Sequence, residues 1–261
     1  MSEEQLVRVD RDGEIAVVTV DRVEKMNALN EMVIRQIGTA FDSLRDDADV
    51  LGVILTGAGE KAFVAGADIG ELAEMTPTTG VATSRLGQQV FGAIERFPKP
   101  VVAAIGGYAL GGGFELALAC HVRIAGSNAR FGLPEVSLGI IPGYGGTVRL
   151  ARLTGLGRAI ELTLTGEMFD AERALEMGVV THVVERGELM EQATALLRSM
   201  TKNGPVALRL ALESIYSALD ANTRQAMDHE AALFGVLAST ADMKEGMTAF
   251  LEKRKAKFRG V

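Results

Sequence analysis

The sequence predicts an α/β core over residues 1–186, followed by a helical C-terminal region over residues 187–261. Three observations carry this expectation. In the first part, short β-branched runs alternate with stretches of helical apolar spacing, which implies βαβ units joined by right-handed crossovers. Beyond about residue 187 only the helical spacing remains. The composition, 48% hydrophobic and 23% charged over 261 residues, is that of an ordinary globular chain, long enough to bury about three quarters of its unfolded surface without covalent staples.

Taken in order, Val17 to Val20 reads as a short strand. Asn30 stands where it can cap a helix whose Val33, Ile34, Ile37, Phe41 and Leu44 recur at helical spacing. Leu51 to Thr56 is a second β-rich run, ended by Gly57 and Gly59. A helical stretch then continues to about Phe97, with an interruption expected near Pro77 to Gly80. Pro98 and Pro100 frame the start of Val101 to Ile105, a buried strand by length and branching. A glycine-rich loop, Gly106 to Gly113, leads into a helix at Phe114 to Ala119 and a short strand at Val122 to Ala125. In the C-terminal region, Leu208, Leu212, Ile215 and Leu219 form one apolar stripe. Further helices are expected over Thr223 to Leu237 and over Asp242 to Lys257. Such an apolar helical end fits either docking on another subunit or folding back on its own core.

Several function classes are disfavoured. A net charge of −7 argues against a nucleic-acid binder. Met1 to Gly13 carries Glu3, Glu4, Asp10 and Asp12 and has neither the apolar run of a secretory signal nor the Arg-rich, acid-poor character of a transit peptide. The longest nearly uncharged stretch, Val101 to Phe114, contains five glycines and is shorter than the roughly 20 residues of a spanning helix. The expectation is a soluble, cytoplasmic protein with no membrane partner. The single cysteine, Cys120, excludes an internal disulfide and a Cys-based zinc site, and fits a reducing compartment. His121, His182 and His229 share no metal-ligand spacing, and Asp228-His229-Glu230 lacks the second histidine of a zinc helix. No metal is expected. A Gly-x-Ser-x-Gly elbow is also absent.

The residues that can carry chemistry cluster around glycine. From Ile105 to Glu115 a strand runs through a glycine-rich turn into a helix, with Gly111, Gly112 and Gly113 in succession. Glycines permit close approach of a ligand to the backbone, and a helix start leaves N–H groups unpaired. Those groups suit an anion or a developing oxyanion, although the spacing fits a tight turn made only for close contact equally well. Gly112 and Gly113 stand where a Walker loop needs Lys and Ser/Thr, so that phosphate motif is excluded. A second glycine-containing turn, Ala65-Gly66-Ala67-Asp68, precedes another helix. Asp68 fits an N-cap, while the Ala67 N–H is a candidate second donor of an oxyanion hole.

Two carboxylates stand out. Glu115 lies in the first turn after the glycines, inside a run otherwise apolar from Val101 to Cys120. It must be paired, protonated or functional, because an unpaired buried charge is expensive; an arginine partner and a catalytic role are both open. Glu135 follows Pro134, which is also how ordinary helices begin. Cys120 beside His121 reads as a small core residue rather than a nucleophile. The terminal Lys253, Arg254, Lys255, Lys257 and Arg259 read as a solvated helix end or as a phosphate contact.

Together these features resemble the crotonase superfamily, the enoyl-CoA hydratase/isomerase family, over essentially the whole chain. The resemblance is carried by Ala62 to Ile69, Lys99 to Leu118, Phe131 to Glu135, Ile140 to Thr147, and Glu245 to Met247 through Phe250 to Arg254. It implies a crotonase-like spiral of ββα and βαβ turns, with a helical C-terminal trimerisation region and assembly as a homotrimer or homohexamer. It further implies an enoyl-CoA hydratase acting on an acyl-CoA substrate. Glu115 and Glu135 are then the catalytic pair, and the N–H groups of Ala67 and Gly112 form the oxyanion hole. Ala65, Ala67, Asp68, Ile69, Gly70 and Gly112 are expected to line the substrate site, with Lys25, Phe250 and Lys253 near the coenzyme A. No metal or redox cofactor is implied. Isomerases of the family typically lack the carboxylate at the Glu115 position, so the presence of both favours hydration over isomerisation. A branched-chain hydratase and a non-catalytic acyl-CoA or RNA-binding relative are the other readings. Three positions depart from the family pattern: Gly70 replaces a frequent lysine, His121 a frequent aspartate, and Tyr144 a smaller residue.

Overall fold

The computed structural model describes residues 4–261, so Glu3 of the acidic N-terminal run lies outside the described residues. The chain opens with β1 (Val7–Asp12) and β2 (Ile15–Val20), an antiparallel pair. Next comes α1 (Glu31–Arg45), capped as expected by the Asn30 side chain, which accepts from Val33 N. Three similar turns follow. Strand β3 (Gly52–Gly57) is succeeded by β4 (Ala62–Ala65), and helices α2 (Ile69–Ala73) and α3 (Pro77–Glu95) lead back to β5 (Val101–Ile105). β5 is followed by β6 (Tyr108–Leu110) and α4 (Gly112–Ala119), then β7 (Val122–Gly126) and β8 (Arg130–Gly132). Each turn thus places one strand in each of two sheets. Within the larger sheet β2, β3, β5 and β7 run parallel, and β4, β6 and β8 run parallel within the smaller. This is the spiral that the resemblance implies.

After β8 come α5 (Gly146–Thr154), α6 (Leu156–Thr165), the two-residue β9 (Phe169–Asp170), α7 (Ala171–Glu176) and β10 (His182–Val184). The sheets close as β1-β2-β3-β5-β7-β10 and β4-β6-β8-β9. The central strands of the larger sheet, β2, β3, β5 and β7, are buried on both faces, as their apolar runs require. Val53, Leu55, Val101, Ala103 and Ile105 face α1, α3 and α4 in the main core. Ile54, Val102, Ala104 and Ile124 face the opposite way, onto Leu189, Ala193 and Leu197 of α8 (Leu189–Thr201). Burying each of these large side chains is worth roughly 1.5–3 kcal/mol. The helix that follows residue 186 is therefore a wall of the core. The helices that stand away from the sheets begin with α9 (Pro205–Asp220), followed by α10 (Thr223–Leu237) and α11 (Ala241–Leu251).

Three local expectations need correcting. The break in the helical stretch lies before Pro77: Thr76 caps α3 and Pro77 occupies its first turn, where a missing N–H costs nothing. The glycine-rich loop at 106–113 contains β6, too short to show periodicity. The last helix stops at Leu251 rather than Lys257. Lys253 adopts a left-handed φ of 55°, and Arg254 turns back to pair with Glu245 at 2.7 Å. The tail is then held by Asp242, whose carboxylate accepts from Arg259 N at 2.7 Å and Gly260 N at 2.8 Å. The basic cluster is thus a hooked tail and not a helix end. Among the described residues no helix is long and apolar enough to cross a membrane.

Candidate active site

Strand β6 delivers the chain to the centre of the molecule, and Gly111 turns it into α4. Gly111 has φ 49°, and a Cβ there would lie 2.9 Å from Glu135 Oε1. Gly113 packs its backbone directly on Val64 of β4, leaving no space for any side chain. These contacts bury α4 along its whole length, including Glu115, which is 1% exposed. Among the described residues no arginine pairs with it; the nearby Arg149 pairs instead with Glu95 at 3.0 Å. Oε1 of Glu115 accepts from two backbone groups, Tyr144 N at 2.8 Å and Gly146 N at 2.6 Å. Burial pushes its pKa up to about 7, against the pull of those two N–H groups and with a further push from Glu135. A side chain on Gly146 would sit 2.8 Å from Glu115 Cγ, so the close approach requires glycine.

Glu135 is placed by the 3-10 turn Pro134–Leu138, with Pro134 in the first position and Gly139 closing it at φ 76°. The Pro-Glu pair does open a helical turn, yet the glutamate is turned inward and is 8% exposed. Burial raises its pKa too. Its Oε2 is buried with no hydrogen-bond partner among the described residues. Such an orphan is unusual, because a buried polar atom without a partner costs about 1–3 kcal/mol.

Two backbone donors face the same space. Leu29 N donates to Gly66 O at 2.8 Å, and Asp68 N donates to Leu29 O at 2.7 Å. These bonds pin the peptides on either side of Ala67 and leave its own N–H without an acceptor among the described residues. Gly112 opens α4, where a helix has no internal acceptor for its N–H. Asp68 is an N-cap, as its position suggested: it accepts from Gly70 N at 3.0 Å and from Arg22 at 2.8 Å, and the arginine hydrogen bond holds its carboxyl below the usual range. Arg22 also donates to Ala28 O at 3.2 Å, tying both sides of the Leu29–Ala67 bridge together.

All four groups open on one cavity of about 910 Å³. Of the residues singled out from the sequence, Ala65, Ala67, Ile69, Gly112, Glu115 and Glu135 line it. Asp68 and Gly70 lie just behind the wall, while Lys25, Phe250 and Lys253 do not line it. Lys25 lies near Asp68, whose pKa it helps to lower; Phe250 is 82% exposed. Sequence reasoning missed the Tyr144 and Gly146 N–H groups that grip Glu115, and the α3 side chains Thr83, Ser84 and Gln88 in the far wall. The glycines flanking Tyr144 were the available signal. Two neighbouring residues singled out from the sequence resolve as structure. His121 accepts from Val101 N at 3.0 Å and meets Glu95 O at 3.2 Å, and burial lowers its pKa to about 4, so it is a neutral staple between α3 and β5. Cys120 is buried with its thiol pushed up to about 12, which leaves no nucleophile.

Paired donors for an oxyanion beside two carboxyls with raised pKa values suit proton transfer next to a carbonyl. Comparison with known proteins agrees. The enoyl-CoA hydratase/isomerase family profile matches residues 10–261. The chain is 47% identical over 249 residues to a short-chain-enoyl-CoA hydratase of Clostridium acetobutylicum, covering 95% of each chain. It is 44% identical to a crotonyl-CoA hydratase of Syntrophomonas wolfei, covering 96% of each. The crystal structure of an enoyl-CoA hydratase from Bacillus anthracis superposes with a TM-score of 0.95 at 39% identity, covering 98% of this chain and 100% of that one. This chain belongs to the enoyl-CoA hydratase/isomerase family.

Proposed function

We propose that the enzyme adds water reversibly across the 2,3 double bond of a trans-2-enoyl-CoA, giving the 3-hydroxyacyl-CoA. The observation that carries this reading is the convergence on one cavity of two N–H groups without an acceptor among the described residues and two carboxyls with raised pKa values. The thioester carbonyl sits on the N–H groups of Ala67 and Gly112. As a water oxygen bonds to C3, negative charge moves onto that carbonyl oxygen, and each preorganised donor lowers the barrier by on the order of 3 kcal/mol. Glu115 is the base, because two N–H bonds on Oε1 favour its ionised form and leave Oε2 to take the water's proton. Glu135 is the acid: its orphaned Oε2 is the natural seat of a proton, which passes to C2 as the enolate collapses. The proton gained by Glu115 returns to Glu135 through solvent. Carbonyl charge is met by the backbone and both protons by carboxyls, so the reaction as written uses no metal or redox cofactor.

The test is the product formed from the four-carbon substrate, crotonyl-CoA. Loss of the conjugated enoyl absorbance should accompany a gain of one water in mass and formation of 3-hydroxybutyryl-CoA. A shifted double bond without water uptake would instead assign the site to isomerisation.

Assembly belongs to the same proposal. Ile215, Leu219, Met227, Phe234 and Leu251 on α9 to α11 are all exposed in the single chain, and grouped exposed apolar residues mark surfaces that meet a partner. We take these helices to join copies into a homotrimer or homohexamer in the cytoplasm. Lys25 and, from the assembled helices, Phe250 and Lys253 are the proposed outer contacts for coenzyme A. Light scattering should give three or six times the 27.7 kDa chain mass; a stable mass near one chain overturns the assembly.

A further inference from the structure

Tyr144 is built into the cavity in a way that holding Glu115 does not require, since that contact uses only its backbone N–H. Its ring fills a notch in α3 where Gly87 has no side chain; a Cβ on Gly87 would come within 2.2 Å of Tyr144 Cδ1. The other edge of the ring lies against Gly112, where a Cβ would come within 3.1 Å of Tyr144 Cε2. Phe91 meets it edge-on, with centroids 5.5 Å apart. The ring therefore bridges α3 and the start of α4, locked on three sides by closely packed neighbours. Among the described residues its main chain is hydrogen-bonded, by Glu115 and Arg149, but its hydroxyl is not.

Position gives this wedge a meaning. With the thioester carbonyl on Gly112 and C3 facing Glu115, the acyl chain beyond C3 must run past the residue that touches both. Resting on the hydratase reading, we propose that Tyr144 is a specificity-determining stop that confines the site to short, uncharged acyl groups. The charge half rests on the lining: among the described residues Glu115 and Glu135 are the charged side chains of the cavity wall, and no Lys, Arg or His lines it. Glu115, Glu71 and Glu135 all bear on the Tyr144 hydroxyl and, after burial, help to push its pKa up to about 12. An acyl tail that ended in a carboxylate would meet negative charge and no cation.

The test compares kcat/KM for four- and eight-carbon trans-2-enoyl-CoA in the wild type, Tyr144→Phe and Tyr144→Ala. All three keep the backbone N–H that holds Glu115. The wild type should prefer four carbons at least tenfold, Tyr144→Phe should keep that ratio, and Tyr144→Ala should cut it at least tenfold by raising the eight-carbon value. An unchanged ratio in an active Tyr144→Ala overturns the stop. Should that variant not fold, saturated acyl-CoA affinities of the wild type decide. Each methylene that finds an apolar wall tightens binding roughly fourfold, so a continuous rise from four to eight carbons overturns the stop and a flat series supports it. For charge, a six-carbon enoyl-CoA with a terminal carboxylate should be at least tenfold poorer than its uncharged counterpart, and equal rates overturn that half. A wild type inert toward every enoyl thioester removes the hydratase reading itself, an outcome distinct from chain-length indifference in an active enzyme.

Discussion

Replacing Glu115 or Glu135 with glutamine is expected to lower kcat for hydration by roughly 10²-fold or more, the usual contribution of a positioned acid or base. Glutamine suits the test because it preserves shape. At position 115 its amide oxygen can still accept from Tyr144 N and Gly146 N, so the helix and the loop it holds should stay in place. Only the ability to take a proton is lost. In the proposed mechanism both carboxyls act on one transition state, so the double variant should fall short of the product of the single effects. Steady-state kinetics on crotonyl-CoA decides, and near-wild-type turnover by either single variant removes that residue from the mechanism.

The same substitution has an opposite effect on stability. A carboxyl whose folded pKa lies above its unfolded value favours folding when protonated and opposes it when ionised. With Glu115 raised from 4.5 to about 7, that stabilisation is present below pH 4.5 and lost as the pH rises through about 7. Relative to wild type, Glu115→Gln should therefore gain on the order of 2 kcal/mol between pH 5 and pH 8. Urea titrations at the two pH values read this directly, and a constant difference would mean that Glu115 is not the titrating buried group. In the wild type the acid limb of the rate profile should fall near the Glu115 value. Because Glu135 pushes on Glu115, that limb belongs to the coupled pair rather than to Glu115 alone. A loss of turnover together with this gain in stability would mean that Glu115 is held there by its chemistry.

Legibility in the sequence followed the range of the interactions. The cap at Asn30, the Asp68 turn and the strand-glycine-helix run ending at Glu115 are local, and residue types at close spacing announce them. What holds Glu115 is not local: Tyr144 N and Gly146 N come from 29 and 31 residues away, and a backbone N–H carries no residue signature. The smaller sheet was equally hidden, since β6 and β8 have three residues each and a period of two needs more to be seen. α8 illustrates a third cause. Its helical spacing is plain, but whether its apolar face meets the sheet or another copy depends on which strand residues point its way, and Ile54, Val102 and Ala104 do.

Ligand affinity should separate the backbone donors from the carboxyls. An acyl-CoA analogue that presents an enolate-like, charge-bearing carbonyl is expected to bind about 10- to 150-fold more tightly than the matching thioether, which has no carbonyl oxygen. That range corresponds to one charge-assisted hydrogen bond of about 1.5–3 kcal/mol. Mutation gives a less direct answer. A methyl on Gly112 would leave the N–H intact yet press on Tyr144 at 3.1 Å and on Leu29 Cδ1 at 3.3 Å, so lost activity could come from the clash. Proline would delete the donor, but it would also restrict the backbone at the junction of Gly111 and α4. Changing the ligand leaves the protein untouched and alters only the atom that the Ala67 and Gly112 N–H groups are free to meet. Calorimetry at one pH and one salt concentration, with the acyl chain held constant, isolates that contact. Equal affinities would mean that no oxyanion hole operates, and would leave the glycines at 111–113 as a device for bringing α4 against Val64.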